Sequence, residues 1–499
     1  MVAESQRRPR RKRAWSVALP NRRPEGNRAL MRVATVLVGA LALVLAVAVM
    51  ASGTSPVLIL AVAALPLGLA AVLQRPIAGL YVFVGLISVY YFLETVLQHR
   101  FGLSPLTLSI LSRWQILLLV GVALAVRRQN AHRLSVQPLD ILMVSYLLLV
   151  FLYTPTAPSL AAAIYGLSNL TQFEVAYWAG RLLTDAGSHV APLLLRIALP
   201  LACFGILQPW LLGVGFYQAT AHFVPDTYFQ ETGSGLPRAM SLLGSPGYFG
   251  SFLMLVVPLA LARLLQGGRV PRVWNLTLIV YAVALVASFH RSSWLGTAVA
   301  CSLVVVLYAR RASRVVVALA SFGVVALIST QILAVGPVIQ NVLSLQDFST
   351  ASHLQRAAEY VQLALDNPFG LGLGAGGNAA AFLGNADAPG LEGGYSQVVL
   401  QVGWLGLLCF ALVQLFAITQ LIRGTTVLTG QDKWVAAGTA GVLAGAIVFN
   451  LILPFQSFNP ALMLLWLIVG VTISKASAVG DRLVDSRTPK PIDRVLTET

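Results

Sequence analysis

Charged residues are scarce in this chain. Only 10% of its 499 residues are Asp, Glu, Lys or Arg, whereas 57% are hydrophobic and the mean hydropathy is +0.78. A soluble protein of this length carries far more charge on its surface. The composition therefore excludes a soluble globular fold and indicates an all-α, polytopic integral membrane protein.

Residues that bind metals or form disulfides are also few. Cys203, Cys301 and Cys409 all fall within hydrophobic runs, no Cys-x-x-Cys pair occurs, and the six histidines show no metal-like pairing. The chain lacks a Gly-x-x-x-x-Gly-Lys motif, and Gly372-x-Gly374-x-x-Gly377 lacks the βαβ context of a dinucleotide site. We therefore expect no metal, no cofactor and no ATP-driven step.

A cleavable signal peptide is not evident, because the first hydrophobic run lacks a small-residue cleavage site. Hydrophobic runs long enough to span a bilayer are numerous instead. We predict about 14 transmembrane helices, within a range of 12–14. The candidate spans are 31–51, 54–73, 76–95, 109–126, 138–153, 160–181, 189–213, 246–265, 273–289, 292–309, 314–334, 395–422, 434–452 and 457–474.

The net charge of +16 is distributed unevenly along these spans. With both termini in the cytoplasm, cytoplasmic segments hold 28 of the 34 Lys and Arg, as the positive-inside rule requires. The basic tails 1–30, predicted to be disordered, and 475–499 are then topology signals that touch anionic lipid, and nucleic acid is not an expected partner. Arg196 falls within a span, and the predicted outer side carries only Arg100, Arg113, Arg238, Arg291 and Arg356.

Two long outer loops, 214–245 and 335–394, interrupt the transmembrane domain 31–474. In the second loop, a short amphipathic helix is predicted at Ser352–Asp366, with an apolar stripe suited to the membrane surface or to the bundle. His353, Arg356 and Tyr360 share its other face. A glycine-rich turn, 370–377, follows and offers either backbone N–H groups for a phosphate or a flexible connection.

Other polar residues lie within or next to spans. Arg113 is interpreted as an anchor at the membrane interface. Glu174 lies inside the sixth predicted span, near Asn169, Gln172 and Arg181. An ionisable residue at this depth indicates either a functional site or a buried structural network, and the sequence leaves both open.

Three segments, in this order, resemble the superfamily of O-antigen ligases and O-antigen polymerases, which are bacterial envelope glycan enzymes. The first is Arg238 followed by Gly244-Ser-Pro-Gly-Tyr-Phe-Gly250, and the second is Arg291-Ser-Ser-Trp-Leu-Gly296. The third is Arg356, then Asn367-Pro-Phe-Gly-Leu-Gly-Leu-Gly374 and the segment from Tyr395 to Gly406. The resemblance implies a multi-pass protein of the bacterial inner membrane that transfers a glycan from undecaprenyl diphosphate.

One difference from the family distinguishes two reactions. Ligases of this superfamily typically carry His-Asn three residues before the tyrosine that opens the re-entering span, and here the chain reads Glu392-Gly-Gly-Tyr395. The histidine regarded as the base in ligases is therefore missing at this position. This absence favours a polymerase of lipid-linked repeat units over an O-antigen ligase or a protein O-oligosaccharyltransferase.

The resemblance also implies roles for individual residues. Arginine suits a leaving diphosphate because it stays charged and forks onto phosphate oxygens. We therefore expect Arg291, Arg356 and Arg238 to bind the diphosphate, and Glu392 to be the catalytic base, with His353, His290 and Asp387 in reserve. The predicted binding site is completed by His290, His353, Tyr360 and Tyr395.

The expected partners follow from this reaction. They are an undecaprenyl-diphosphate-linked donor, an acceptor glycan, the lipid bilayer and, as a candidate protein partner, a chain-length regulator. A membrane transporter or lipid flippase is the alternative from another class, because many spans and Glu174 suit a transport path. We find no internal repeat and no matched pair of broken helices, which favours the enzyme.

Overall fold

In the computed structural model, the described residues form helices and no β-strand. They are 74–103, 108, 113–129, 135–184, 186–213, 215–221, 238–267, 273–308, 348–377, 380 and 393–485. The helices are α1 Pro76–Ile87, α2 Tyr90–His99, α3 Trp114–Gln129, α4 Pro138–Leu152, α5 Leu160–Leu183, α6 Val190–Leu211, α7 Gly215–Ala221, α8 Pro246–Gln266, α9 Val273–Ala287, α10 Arg291–Leu307, α11 Phe348–Asp366, α12 Gly394–Val427, α13 Gly430–Ile452 and α14 Asn459–Asp485.

The predicted fold class is confirmed. Within the described residues, six helical segments are long and apolar enough to cross a membrane, or seven if the bent pair α1 and α2 forms one span. The count of about 14 spans stays a prediction, because the candidate spans 31–51, 54–73 and 314–334 lie outside the described residues or nearly so. The N-terminal tail 1–30 and most of the C-terminal tail lie outside them as well.

Glycines allow close helix crossings in the part of the bundle that the structure describes. A methyl group added at Gly470 in α14 would lie 2.2 Å from the carbonyl oxygen of Tyr177 in α5. A methyl group at Gly445 in α13 would lie at the same distance from the carbonyl oxygen of Gly296 in α10. Small residues let helix backbones approach closely, which is how apolar helices associate without a hydrophobic driving force between them.

One end of the bundle carries the turn 288–290 and the segments 153–159 and 453–458, and we call it the loop end. His290 packs against Phe458 there, with ring centroids 5.9 Å apart. Thr156 also reaches the glycine-rich turn, accepting a hydrogen bond from Leu373 N at 3.3 Å. The loop end is therefore where segments distant in sequence meet.

A buried ion pair locks the opposite end. Arg181 in α5 donates to Asp140 in α4 over 2.7 Å, and Tyr177 donates to the other carboxylate oxygen of Asp140 at 2.5 Å. Arg181 also donates to the carbonyl oxygen of Ser135 at 2.6 Å, and its own carbonyl accepts from Ser474. Arg181 therefore belongs to a structural network, which is one of the two possibilities that the sequence left open.

Helix α12 is folded back on itself at Val402 and Gly403, where the backbone is not helical. Gly403 has φ +70°, a conformation that glycine adopts without strain. The hydroxyl of Tyr395 donates to Gln414 over 2.8 Å. Nineteen residues of straight helix would separate these two positions by about 28 Å. Residues 394–401 therefore form a short arm that lies beside the longer arm, 404–427.

Candidate functional site

Arg238 is docked on the turn between α9 and α10. Its Nε and Nη2 atoms donate to the carbonyl oxygens of Ser288 and Phe289, at 3.3 and 3.0 Å. Beside it, the backbone N–H of Ala239 donates to the carbonyl of Ala287 at 2.9 Å. The structure thus joins the first two sequence motifs. Arg238 is bonded to Phe289, which precedes Arg291 by two positions in the chain.

The turn itself is held rigidly. Phe289 has φ +49°, which is uncommon for a residue other than glycine and marks a strained position. Ser288 Oγ bonds the carbonyl of Leu285 at 2.6 Å, and the indole N–H of Trp294 bonds the same carbonyl at 2.8 Å. These hydrogen bonds hold the backbone of the turn in one conformation, and they thereby fix the positions of His290 and Arg291.

His290 is buried behind the turn. Its Nδ1 lies 2.7 Å from Ser293 Oγ, and its ring packs on Phe449 and Phe458. Burial and, to a lesser extent, the nearby charge of Arg238 lower the pKa of His290 to about 3. The imidazole is therefore neutral at physiological pH.

The glycines of the first motif make room for this histidine. A methyl group added at Gly250 would lie 2.8 Å from both His290 Cβ and Ser293 Oγ. At Gly247 it would lie 2.9 Å from the ring of Phe458. Both glycines fall in the first turns of α8, where Ser245 caps the helix by accepting from Tyr248 N at 3.1 Å. The motif is thus a packing surface for the 288–290 turn.

Aromatic rings extend the site toward α2. Tyr248 stacks on Tyr91 with ring centroids 3.6 Å apart, and its other neighbour is Phe458 at 5.4 Å. Gly244, with φ +77°, turns the chain against the backbone of Tyr91. Glu94, one turn further along α2, interacts electrostatically with both tyrosines.

Arg113, which the sequence interpretation placed at the membrane interface as an anchor, is half-buried in the structure. It donates to the Ser168 hydroxyl and lies near the hydroxyls of Tyr165, Tyr90 and Tyr91. Sequence reasoning missed this position because the aromatic partners come from helices that are not adjacent in the chain.

A layer of amide side chains lies below the loop end. Asn169 in α5 donates to Gln397 at 3.1 Å, and Gln172 donates to the carbonyl of Gln456 at 2.8 Å. Gln456 in turn donates to the carbonyl of Gly394 at 2.8 Å. Deeper in α5, both carboxyl oxygens of Glu174 are buried without a hydrogen-bond partner in the part of the chain that the structure describes.

The glycine-rich turn is a docking element. Its amides at Leu371, Leu373 and Gly374 donate to the carbonyl of Leu400, the hydroxyl of Thr156 and the side chain of Gln401. These N–H groups are therefore used within the protein, and this part of the turn does not form the phosphate cradle that the sequence allowed. The turn instead packs between α12, through Leu400 and Gln401, and α5, through Ala162.

Three of the predicted site residues lie on described helices: Arg356 and Tyr360 on α11, and Tyr395 on α12. Arg356 is exposed on α11, whereas Tyr360 packs with Leu363 on a buried cluster that includes Val399 and Leu400. Tyr395 is half-buried and uses its hydroxyl on Gln414. Of the remaining predicted site residues, Glu392 and the side chain of His353 lie outside what the structure describes.

A family model described as O-antigen ligase matches residues 276–411. The match contains the 288–290 turn, α11 and the short arm of α12, and it confirms the resemblance that the ordered motifs indicated. Together with the apolar helices, it supports a glycan ligase or polymerase function, lipid-linked glycan substrates and a multi-pass bacterial membrane protein. No curated protein matches the chain.

Proposed function

We propose that this protein is a polymerase of lipid-linked polysaccharide repeat units. It transfers a glycan from undecaprenyl diphosphate to a sugar hydroxyl, at the outer face of the bacterial inner membrane, with both termini in the cytoplasm. The observation that supports this proposal best is the docking of Arg238 on the turn that carries His290 and Arg291. Arg238 of the first motif is thereby bonded to the turn that precedes Arg291 of the second motif, at one end of the helix bundle.

The proposed chemistry needs no metal and no cofactor, because the donor is already activated. The acceptor oxygen bonds to the anomeric carbon, and the bond from that carbon to the diphosphate oxygen breaks. The diphosphate leaves with the electron pair, so negative charge grows on it. Arg291, Arg356 and Arg238 are assigned to that charge, since guanidinium groups fork onto phosphate oxygens.

Glu392 is assigned the proton that the acceptor hydroxyl loses. A positioned carboxylate of this kind typically contributes about 10²–10⁴-fold to the rate. His353, Tyr360 and Tyr395 are assigned to the bound glycan, and a chain-length regulator is the proposed protein partner. Because the Tyr395 hydroxyl already bonds Gln414, the contact with a sugar is assigned to its ring.

A ligase is the second candidate, because the matching family model is described as O-antigen ligase. The sequence favours polymerisation, since Glu392-Gly-Gly precedes Tyr395 where ligases typically have His-Asn. Glycan analysis of a deletion strain separates the two functions. A polymerase mutant keeps single repeats and loses long chains, whereas a ligase mutant accumulates long chains that are still attached to the carrier lipid.

The arginine assignments have a direct test. Arg291→Ala and Arg356→Ala should abolish polymer in cells while the protein still inserts in the membrane. Arg423→Ala is the matched control, because Arg423 is an exposed arginine on the long arm of α12. Polymer of normal length from both site variants would contradict the diphosphate assignment.

A further inference from the structure

A half-buried arginine without an acidic partner stands apart from the proposed donor site. Arg113 donates to the Ser168 hydroxyl, and no carboxylate pairs with it among the described residues. Arg181 at the opposite end has Asp140, a carbonyl and full burial, as a structural arginine requires. A guanidinium has five N–H donors, so most of those on Arg113 remain available to an anion.

The groups that face Arg113 are polar but carry no negative charge at neutral pH. They are the hydroxyls of Tyr165, Tyr90 and Tyr91. Glu94, on α2, interacts electrostatically with Tyr91 and with Tyr248.

Aromatic rings separate Arg113 from the proposed donor site. Tyr91 and Tyr248 stack at 3.6 Å, Phe458 follows at 5.4 Å, and His290 follows Phe458 at 5.9 Å. Arg238 is hydrogen-bonded to the turn that carries His290. The loop end thus carries two cationic positions, Arg113 and Arg238, that are connected through a series of aromatic contacts.

We propose that Arg113 marks a second anion subsite, which binds the diphosphate of the lipid-linked acceptor. The inference rests on the proposed function, because a polymerase of lipid-linked units handles two diphosphates, one on the donor and one on the acceptor. A ligase that acts on another type of acceptor needs only the first. Ser168 is the positioning residue in this subsite, since its hydroxyl accepts the hydrogen bond that orients the guanidinium.

The test compares two acceptors in a purified system with a lipid-linked donor of several repeats. One acceptor is a repeat unit on undecaprenyl diphosphate, and the other is the same oligosaccharide without lipid or phosphate. We expect Arg113→Gln to raise KM for the diphosphate acceptor by about 10- to 100-fold, as for one lost charge-assisted contact. Its KM for the phosphate-free acceptor should stay as in the wild type.

Each other result has a distinct meaning. An equal rise in KM for both acceptors would mean that Arg113 has a structural role. An unchanged KM for both acceptors would mean that Arg113 binds a membrane phospholipid headgroup. Both outcomes overturn the proposal. If Arg113→Gln does not fold, Ser168→Ala should raise KM for the diphosphate acceptor alone, by a smaller factor. If wild-type protein elongates neither acceptor, the proposed polymerase function fails, which is a separate outcome.

Discussion

The Nη2 atom of Arg238 donates a 3.0 Å hydrogen bond to the carbonyl oxygen of Phe289, a residue 51 positions further along the chain. Phe289 has a positive φ, and the next residue is the buried His290. The Arg238 side chain therefore stabilises a strained turn by donating hydrogen bonds to the carbonyl oxygens of Ser288 and Phe289. A residue that sequence reasoning assigned to substrate thus also builds the site.

Arg238→Gln should lower stability as well as activity. The shorter side chain loses the hydrogen bonds to the carbonyls of Ser288 and Phe289, and bonds to a charged group contribute about 1.5–3 kcal/mol. We expect a lower midpoint of thermal unfolding in detergent and loss of polymer in cells. Arg423→Gln removes an exposed arginine from the bundle and should change neither. An unchanged midpoint for Arg238→Gln would contradict the turn-stabilising role.

Gly250→Ala should disturb the site through packing alone. The new methyl group would lie 2.8 Å from His290 Cβ and Ser293 Oγ, so the turn must move away from α8. Overpacking of this kind costs about 1–3 kcal/mol. We expect a lower unfolding midpoint and reduced glycan transfer.

Gly85→Ala is the control for helix propensity. Gly85 lies inside α1, and an added methyl group there meets nothing within 4 Å. The substitution should leave activity unchanged and raise stability by about 0.5–1 kcal/mol, because alanine favours the helix. Equal behaviour of the two variants would show that contact with His290 is not what matters at Gly250.

His290 predicts how stability depends on pH. Its folded pKa of about 3 lies below the unfolded value of 6.5, mainly because the ring is buried. Between these values the unfolded chain binds a proton that the folded chain does not, so stability falls as pH decreases below 6.5. At pH 5 the loss from this residue amounts to about 2 kcal/mol relative to pH 8.

His290→Gln removes the titration while retaining a polar group beside Ser293. Unfolding midpoints of the variant and the wild type should therefore converge as pH falls from 8 to 5. Parallel curves over this range would mean that the imidazole is protonated in the folded protein, or that it is exposed.

Sequence periodicity and charge bias were enough to predict the class of fold, because long apolar helices and their basic loops leave strong local signals. The ordered motifs also indicated which turns matter. The surroundings of Arg113 could not be predicted, since Ser168 and the tyrosines that interact with it come from α2 and α5. The glycine-rich turn was equally ambiguous, because only the tertiary structure shows that Leu400 and Gln401 accept from its amides.

The fold-back of α12 could not be predicted from the sequence for another reason. Hydropathy does not distinguish a straight helix from two helices folded together, so the run 395–422 was predicted as one span. Gly403 allows the change of direction, and the Tyr395 hydroxyl reaches Gln414 as a result. The segment that follows the predicted base Glu392 is thus a short arm within the bundle, and its placement depends on this hinge.

Cross-linking measures the fold-back directly. In a background with Cys203, Cys301 and Cys409 replaced by Ala, cysteines at Tyr395 and Gln414 should be joined by a short bifunctional thiol reagent. The matched pair replaces Trp404 and Arg423, which are also 19 residues apart but lie on the straight long arm, about 28 Å from each other. That pair should not react with the same reagent. Cross-linking of neither pair would indicate one continuous helix, and Gly403→Ala should weaken the 395–414 cross-link because alanine disfavours φ +70°.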